Sequence, residues 1–209
     1  MNVLVIAPHP DDEVIGCGGA IRLRVERGER VSVAFLTSGE LGLKQLSRAK
    51  AWKIRETEAR RAATILGLAE LHFLRQPDWM LGDHVKAAST VLKDLLVRAK
   101  PDVVYLPHPS DGHPDHQVTW PILRGALKLC RDLKPDLLAY EVWTPLARHD
   151  ITVDITPVIR CKLRALRAHR SQLGEFDYVK AVSGLNQFRG ALAGKCRFAE
   201  VFQTLSIGR

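Results

Sequence analysis

The sequence predicts a Rossmann-like α/β fold: a doubly wound, mostly parallel sheet with helices on both faces. Three observations predict it. Short uninterrupted apolar runs, such as Val3-Leu4-Val5-Ile6 and Val103-Val104-Tyr105-Leu106, read as strands buried on both faces. Longer stretches of helical periodicity separate these runs, so strand and helix alternate. Glycine or proline marks most of the junctions. No linker or internal repeat divides the 209 residues, and the length suits one domain with a sizeable core. A single domain over 1–209 is expected.

The elements follow in order. The first strand, 3–6, ends at Pro8-His9-Pro10, and Gly16 to Gly19 then open into a helix at 20–27 stopped by Gly28. A strand at 31–36 ends at Thr37-Ser38-Gly39-Glu40, and a helix at 46–66 stops at Gly67. Residues 71–74 form a third strand and 85–99 a helix. The fourth strand, 103–106, is broken by Pro107-His108-Pro109. A helix at 118–131 follows, with Pro121 in its first turn, where the missing N–H has no partner to lose. Residues 137–142 and 151–155 read as strands, the latter alternating and so exposed on one face, before a helix at 157–171. Residues 176–209 carry several glycines and no clear period. Right-handed crossovers place the functional loops at the carboxyl ends of the strands.

No apolar run approaches the roughly 20 residues that cross a bilayer. The amino terminus lacks a basic region, and its apolar run is too short for a signal peptide, so a cytoplasmic protein is expected. Net charge is +8, and residues 157–209 hold ten Lys or Arg against three Asp or Glu. There is no block of like charges, RNA-module signature or zinc-finger spacing, so a nucleic-acid partner is not expected. The surplus reads as a solvated helix face of Arg160, Arg164, Arg167 and Arg170, which can also steer an acidic small substrate. Cys17, Cys130, Cys161 and Cys196 form no C-x-x-C pair and read as reduced, mostly buried thiols. Cys17 sits near the first motif as a candidate nucleophile, but packing behind the glycines is the stronger reading.

Two clusters share a grammar: His9-Pro10-Asp11-Asp12-Glu13 after the first strand and His113-Pro114-Asp115-His116 after the fourth. Either alone reads equally well as turn chemistry. Two such clusters at converging strand ends favour a metal site. A catalytic zinc takes three N or O ligands and leaves a position for water. His9, Asp12 and His116 would supply two imidazoles and a carboxylate, leaving Asp11 free to take a proton. His113 would polarise an oxyanion or protonate a leaving group, with Asp115 holding its ring proton. The same donors serve iron or manganese. A dinucleotide reading of Gly16-Cys17-Gly18-Gly19-Ala20-Ile21 fails, because G-x-G-x-x-G requires glycine where Ile21 stands.

Together these residues resemble the PIG-L/LmbE zinc-dependent de-N-acetylases. Pro8-His9-Pro10-Asp11-Asp12-Glu13 with Gly16-Cys17-Gly18-Gly19 looks like their signature. Thr37-Ser38-Gly39-Glu40, Arg55-Glu56-Thr57-Glu58, His113-Pro114-Asp115-His116, Val153-Asp154-Ile155-Thr156 and His169-Arg170-Ser171-Gln172 follow in order, over roughly the first four-fifths of the chain. The resemblance implies a deacetylase domain with zinc held by His9, Asp12 and His116, Asp11 as general base, and His113 with Asp115 at the oxyanion. It places Arg55 toward the substrate, where residue spacing alone would suggest an Arg55–Glu58 helical pair. Asp78 becomes a substrate-hydroxyl candidate or a turn cap, and His169 and Gln172 support the fold or the site rim. His72, His84, His108 and His149 are given no role. The implied reaction is hydrolysis of an acetamide on an N-acetylglucosamine-containing small glycoside or glycoconjugate, with self-association left open. The alternatives are a metal-dependent phosphoesterase acting on an anionic small substrate and a nucleic-acid binder with a vestigial site.

Overall fold

The computed structural model describes residues 1–130, 132–174 and 176–207. Seven strands form one sheet: β1 (Asn2–Ala7), β2 (Arg30–Phe35), β3 (Glu70–Phe73), β4 (Val103–Pro107), β5 (Asp136–Tyr140), β6 (Ile151–Asp154) and β7 (Ala199–Leu205). Their order is β3-β2-β1-β4-β5-β7-β6. The first five run parallel, and β7 is antiparallel to both of its neighbours. The helices are α1 (Asp12–Glu26), α2 (Arg48–Leu66), α3 (Val85–Ala99), α4 (Pro114–Lys128), α5 (Ile159–Leu166) and α6 (Tyr178–Arg189).

The apolar strands divide by alternation. Val3, Val5, Val31, Val33 and Phe35 face α1, α2 and α5, while Leu4, Ile6, Ala34, Val104 and Leu106 face α3 and α4. Both faces are therefore dry, as continuous apolar strands require. No helix among the described residues is long and apolar enough to cross a membrane.

Four local departures from the sequence reading have physical causes. First, α1 begins at Asp12 and takes in the glycines, breaking at Cys17 (φ −139°, ψ 18°). A Cβ at Gly16 would collide with the Tyr140 ring, so the helix lies against the sheet only because the side chain is missing. The carboxylate of Glu200 receives the Gly19 and Ala20 amides at 2.8 and 2.7 Å beyond the break. Second, α4 starts at Pro114, not 118, because His113 Nδ1 accepts the Asp115 amide and proline is preorganised for the first turn. Pro121 is thus interior, on the exposed face.

Third, α5 is shorter than 157–171. Glu58 accepts hydrogen bonds from the Ser171 amide and hydroxyl at 2.9 and 2.7 Å, drawing that segment into turns, so His169 and Gln172 share no helix face. Fourth, the unplaced tail supplies α6 and β7, the latter inserted between β5 and β6. Its Glu200 is buried beside the equally buried Lys162, whose Nζ donates to it at 2.6 Å and also to Ile15 O and Asn186 Oδ1. Arg160, Arg164, Arg167 and Arg170 are exposed, but Lys162 and Arg189 of the same basic quarter are buried in ion pairs with Glu200 and Glu141.

Candidate metal centre

The predicted site residues gather at the carboxyl edge of the sheet, where β1 and β4 lie side by side and α1 and α4 leave to opposite faces. His9 follows β1 by one proline, and its amide donates to Asp12 Oδ2 at 2.8 Å, closing the turn into α1. His116 stands in the first turn of α4.

Three ligand atoms converge. His9 Nδ1 lies 3.3 Å from Asp12 Oδ2, His116 Nε2 lies 3.2 Å from the same oxygen, and the two nitrogens are 3.3 Å apart. Donors held tetrahedrally about 2.0–2.1 Å from one ion lie about 3.3 Å from each other, so this triangle fits one zinc-sized cation. His113 also brings a ring nitrogen within 4.8 Å of ligand atoms of His9 and His116, and His9, Asp78 and Asp115 form a second close group.

Each imidazole of the triangle has a carboxylate behind it. His9 Nε2 faces Asp78 Oδ1 at 3.0 Å and Asp115 Oδ2 at 3.3 Å; His116 Nδ1 faces Asp111 Oδ1 at 3.0 Å. Carboxylates placed in this way fix the tautomer of a ligating histidine and raise its basicity. Two expectations change accordingly. The Asp115 carboxylate does not hold the His113 ring; it receives the Trp79 and Leu81 amides at 2.8 and 3.3 Å and turns to His9. Asp78 is also directed at His9 and receives the Leu41 amide at 2.8 Å, rather than standing free for a substrate hydroxyl.

Asp111, which sequence reasoning missed, backs His116 and receives the Trp143 and Thr144 amides on its other oxygen. Its position two residues before the second motif was the available signal. His108, given no role, is buried, with Nε2 2.7 Å from Thr144 O.

The electrostatics call for a cation. Asp11, Asp12, Asp78, Asp111 and Asp115 are all buried, and of the five it is Asp11 that pairs with a permanent cation, Arg55. Burial disfavours a charged imidazole, yet the carboxylates of Asp115, Asp12 and Asp78 hold His9 well above its ordinary pKa. Asp12 and Asp111 likewise outweigh burial at His116 and raise it to about 9. The two rings thus carry the positive charge that so many carboxylates require.

Asp11 lies apart from the triangle. Its φ of 131° is a conformation favouring glycine, and such strain costs on the order of 1–3 kcal/mol. Arg55 holds it, reaching Asp11 Oδ2 at 3.2 Å, Pro10 O at 2.7 Å and Gly39 O at 2.9 Å. The Arg55–Glu58 pair is therefore not made. Gly39 has φ 60°, and a Cβ there would strike the guanidinium. Burial raises the Asp11 carboxyl to about 7; Arg55 opposes this and Asp12 adds to it. Burial, then the charges of His9 and His116, lower His113 to about 4 and keep its ring neutral. Its Nδ1 accepts the Asp115 amide, so the ring proton resides on Nε2.

His169 is buried 3.9 Å from Glu13, and Gln172 lines the pocket. Cys17 is buried, donates to Glu13 O at 3.3 Å, and is held protonated by burial, which leaves no nucleophile there. A pocket of about 960 Å³ opens over His9, Asp11, Asp12 and His113, at the upper end of the usual 300–1,000 Å³ range.

Residues 4–127 match the PIG-L family, GlcNAc-PI de-N-acetylase. The probable N-acetyl-alpha-D-glucosaminyl L-malate deacetylase 2 of Bacillus cereus is 30% identical over 82% of this chain and 83% of its own. The solved N,N'-diacetylchitobiose deacetylase of Pyrococcus horikoshii superposes with a TM-score of 0.85 at 28% identity, over 98% of this chain and 84% of that one. GalB, the 4-carboxy-2-hydroxymuconate hydratase of Pseudomonas putida KT2440, superposes with a TM-score of 0.81 at 25% identity, over 100% and 98% of the two chains.

Proposed function

This chain belongs to the PIG-L family, and we propose that it is a zinc-dependent deacetylase that hydrolyses the acetamide of an N-acetylglucosamine-containing small glycoside, releasing acetate and free amine. The observation that carries the reading is the His9–Asp12–His116 triangle with Asp11 held beside it and outside it. The malate and diacetylchitobiose deacetylases among its relatives support the substrate class.

A divalent metal, which His9, Asp12 and His116 would hold, would supply Lewis-acid polarisation of an amide carbonyl and acidification of an attacking water. Asp11, kept out of the triangle by its backbone and by Arg55, takes a proton from that water. The His113 Nε2–H donates to the oxygen on which charge develops. Asp11 then returns the proton to the departing nitrogen, so water divides between acetate and amine. Arg55 acts on substrate through Asp11, and Asp78 and Asp115 through His9.

A phosphoesterase is less well supported. Among the described residues, Lys44 and Arg55 are the only Lys or Arg lining the pocket, and Arg55 is committed to Asp11. The GalB likeness makes hydration the chemistry to test against. Primary-amine release from N-acetylglucosaminides, present with zinc and absent after chelation, supports the deacetylase; turnover of an enol acid without amine release overturns it.

A further inference from the structure

The pocket has an aromatic end that the deacetylation chemistry does not use. Trp143 packs edge to face with Phe176 and with Tyr178, ring centroids 6.0 and 5.8 Å away, and the Phe176 and Tyr178 rings are tilted against each other at 5.8 Å. All three line the pocket, yet Trp143 is 48% exposed and Phe176 50%. Trp79 lines it too, 57% exposed, with its ring centroid 4.4 Å from that of His113. Apolar surface left bare inside a concave site marks where a ligand completes the packing.

The two tryptophans are tied to the candidate metal centre itself. The Trp79 amide donates to Asp115, which faces His9, and the Trp143 amide donates to Asp111, which faces His116. The Trp143 loop is further fixed by Glu141, which receives the Leu146 amide at 2.6 Å and pairs with buried Arg189. Its position relative to the ligand histidines is thus set before substrate arrives.

We infer that Trp143, Phe176 and Tyr178 form a subsite for an uncharged ring joined to the N-acetylglucosamine unit, a second sugar or an aryl group stacking on the indole. The inference rests on the deacetylase reading and adds the class of aglycone to it. A ring presents the flat CH or π face that an aromatic wall binds. An anionic aglycone would find Lys44, which is exposed, and the already paired Arg55.

The test is a ratio taken within each variant, so the folded fraction cancels. For wild type, Trp143→Ala, Phe176→Ala and Trp143→Phe, kcat/KM for amine release is measured on four substrates. These are methyl N-acetylglucosaminide, 4-nitrophenyl N-acetylglucosaminide and N,N'-diacetylchitobiose, with N-acetylglucosaminyl malate as the charged comparison. The wild type should prefer a ring-bearing substrate to the methyl glycoside. That ratio should fall about five- to tenfold in the alanine variants and less in Trp143→Phe. The sugar and aryl arms show which ring the wall takes. An unchanged ratio in both alanine variants, or a wild-type preference for the methyl or malate compound, overturns the inference alone. No amine release from any substrate overturns the deacetylase reading as well.

Discussion

Asp111 Oδ1 stands 3.0 Å from His116 Nδ1, and its second oxygen receives the amides of Trp143 and Thr144 at 2.9 and 3.0 Å. One buried carboxylate therefore orients a metal-site imidazole and fixes the loop at the end of β5. Removing it should be felt at both places.

Asp111→Ala should weaken metal binding by about 10–100-fold, the usual effect of losing the partner of a ligating histidine. Competition against a chromogenic chelator measures it. An affinity within a factor of two of wild type would show that the Asp111–His116 contact does not tune the site.

Metal binding should release protons. His9 and His116 are held above the ordinary histidine value, so both rings are charged near pH 7 and must deprotonate to bind. Affinity should therefore rise with pH through about 9, where His116 loses its proton. Titration calorimetry in buffers of different ionisation enthalpy reads the number released at pH 7, expected to be about two. No buffer dependence would contradict the protonation assigned to the metal-free cluster.

Lys162→Met should cost about 3–5 kcal/mol, because it leaves Glu200 buried without its cation beneath the break in α1. Lys162→Met with Glu200→Gln should recover part of that loss, since the uncompensated charge is then gone. Urea denaturation of both variants decides this. A single variant as stable as wild type would mean that the pair holds nothing in place.

This ion pair also explains what the sequence concealed. The apolar strands, whose two faces are both covered, were legible from local pattern, and so was the convergence of the two His-Pro-Asp motifs. Strand β7 was not, because Glu200 interrupts its apolar run and becomes tolerable only against Lys162, 38 positions away. The start of α4 was hidden because a histidine, a rare cap, takes the Asp115 amide. Within the site the candidate residues could be named, but their pairings could not. Asp115 lies close to His113 in sequence and serves His9 in space, and only its place two residues before the second motif separates Asp111 from an ordinary turn residue.

The division of labour between Asp11 and the three residues of the triangle is the central claim, and metal content measured alongside turnover tests it most directly. Asp11→Asn should keep about one metal per chain while amine release falls by about 10²–10⁴-fold, and a folded His9→Ala variant should lose both. Full metal in His9→Ala, or near wild-type turnover in Asp11→Asn, would contradict the assignment.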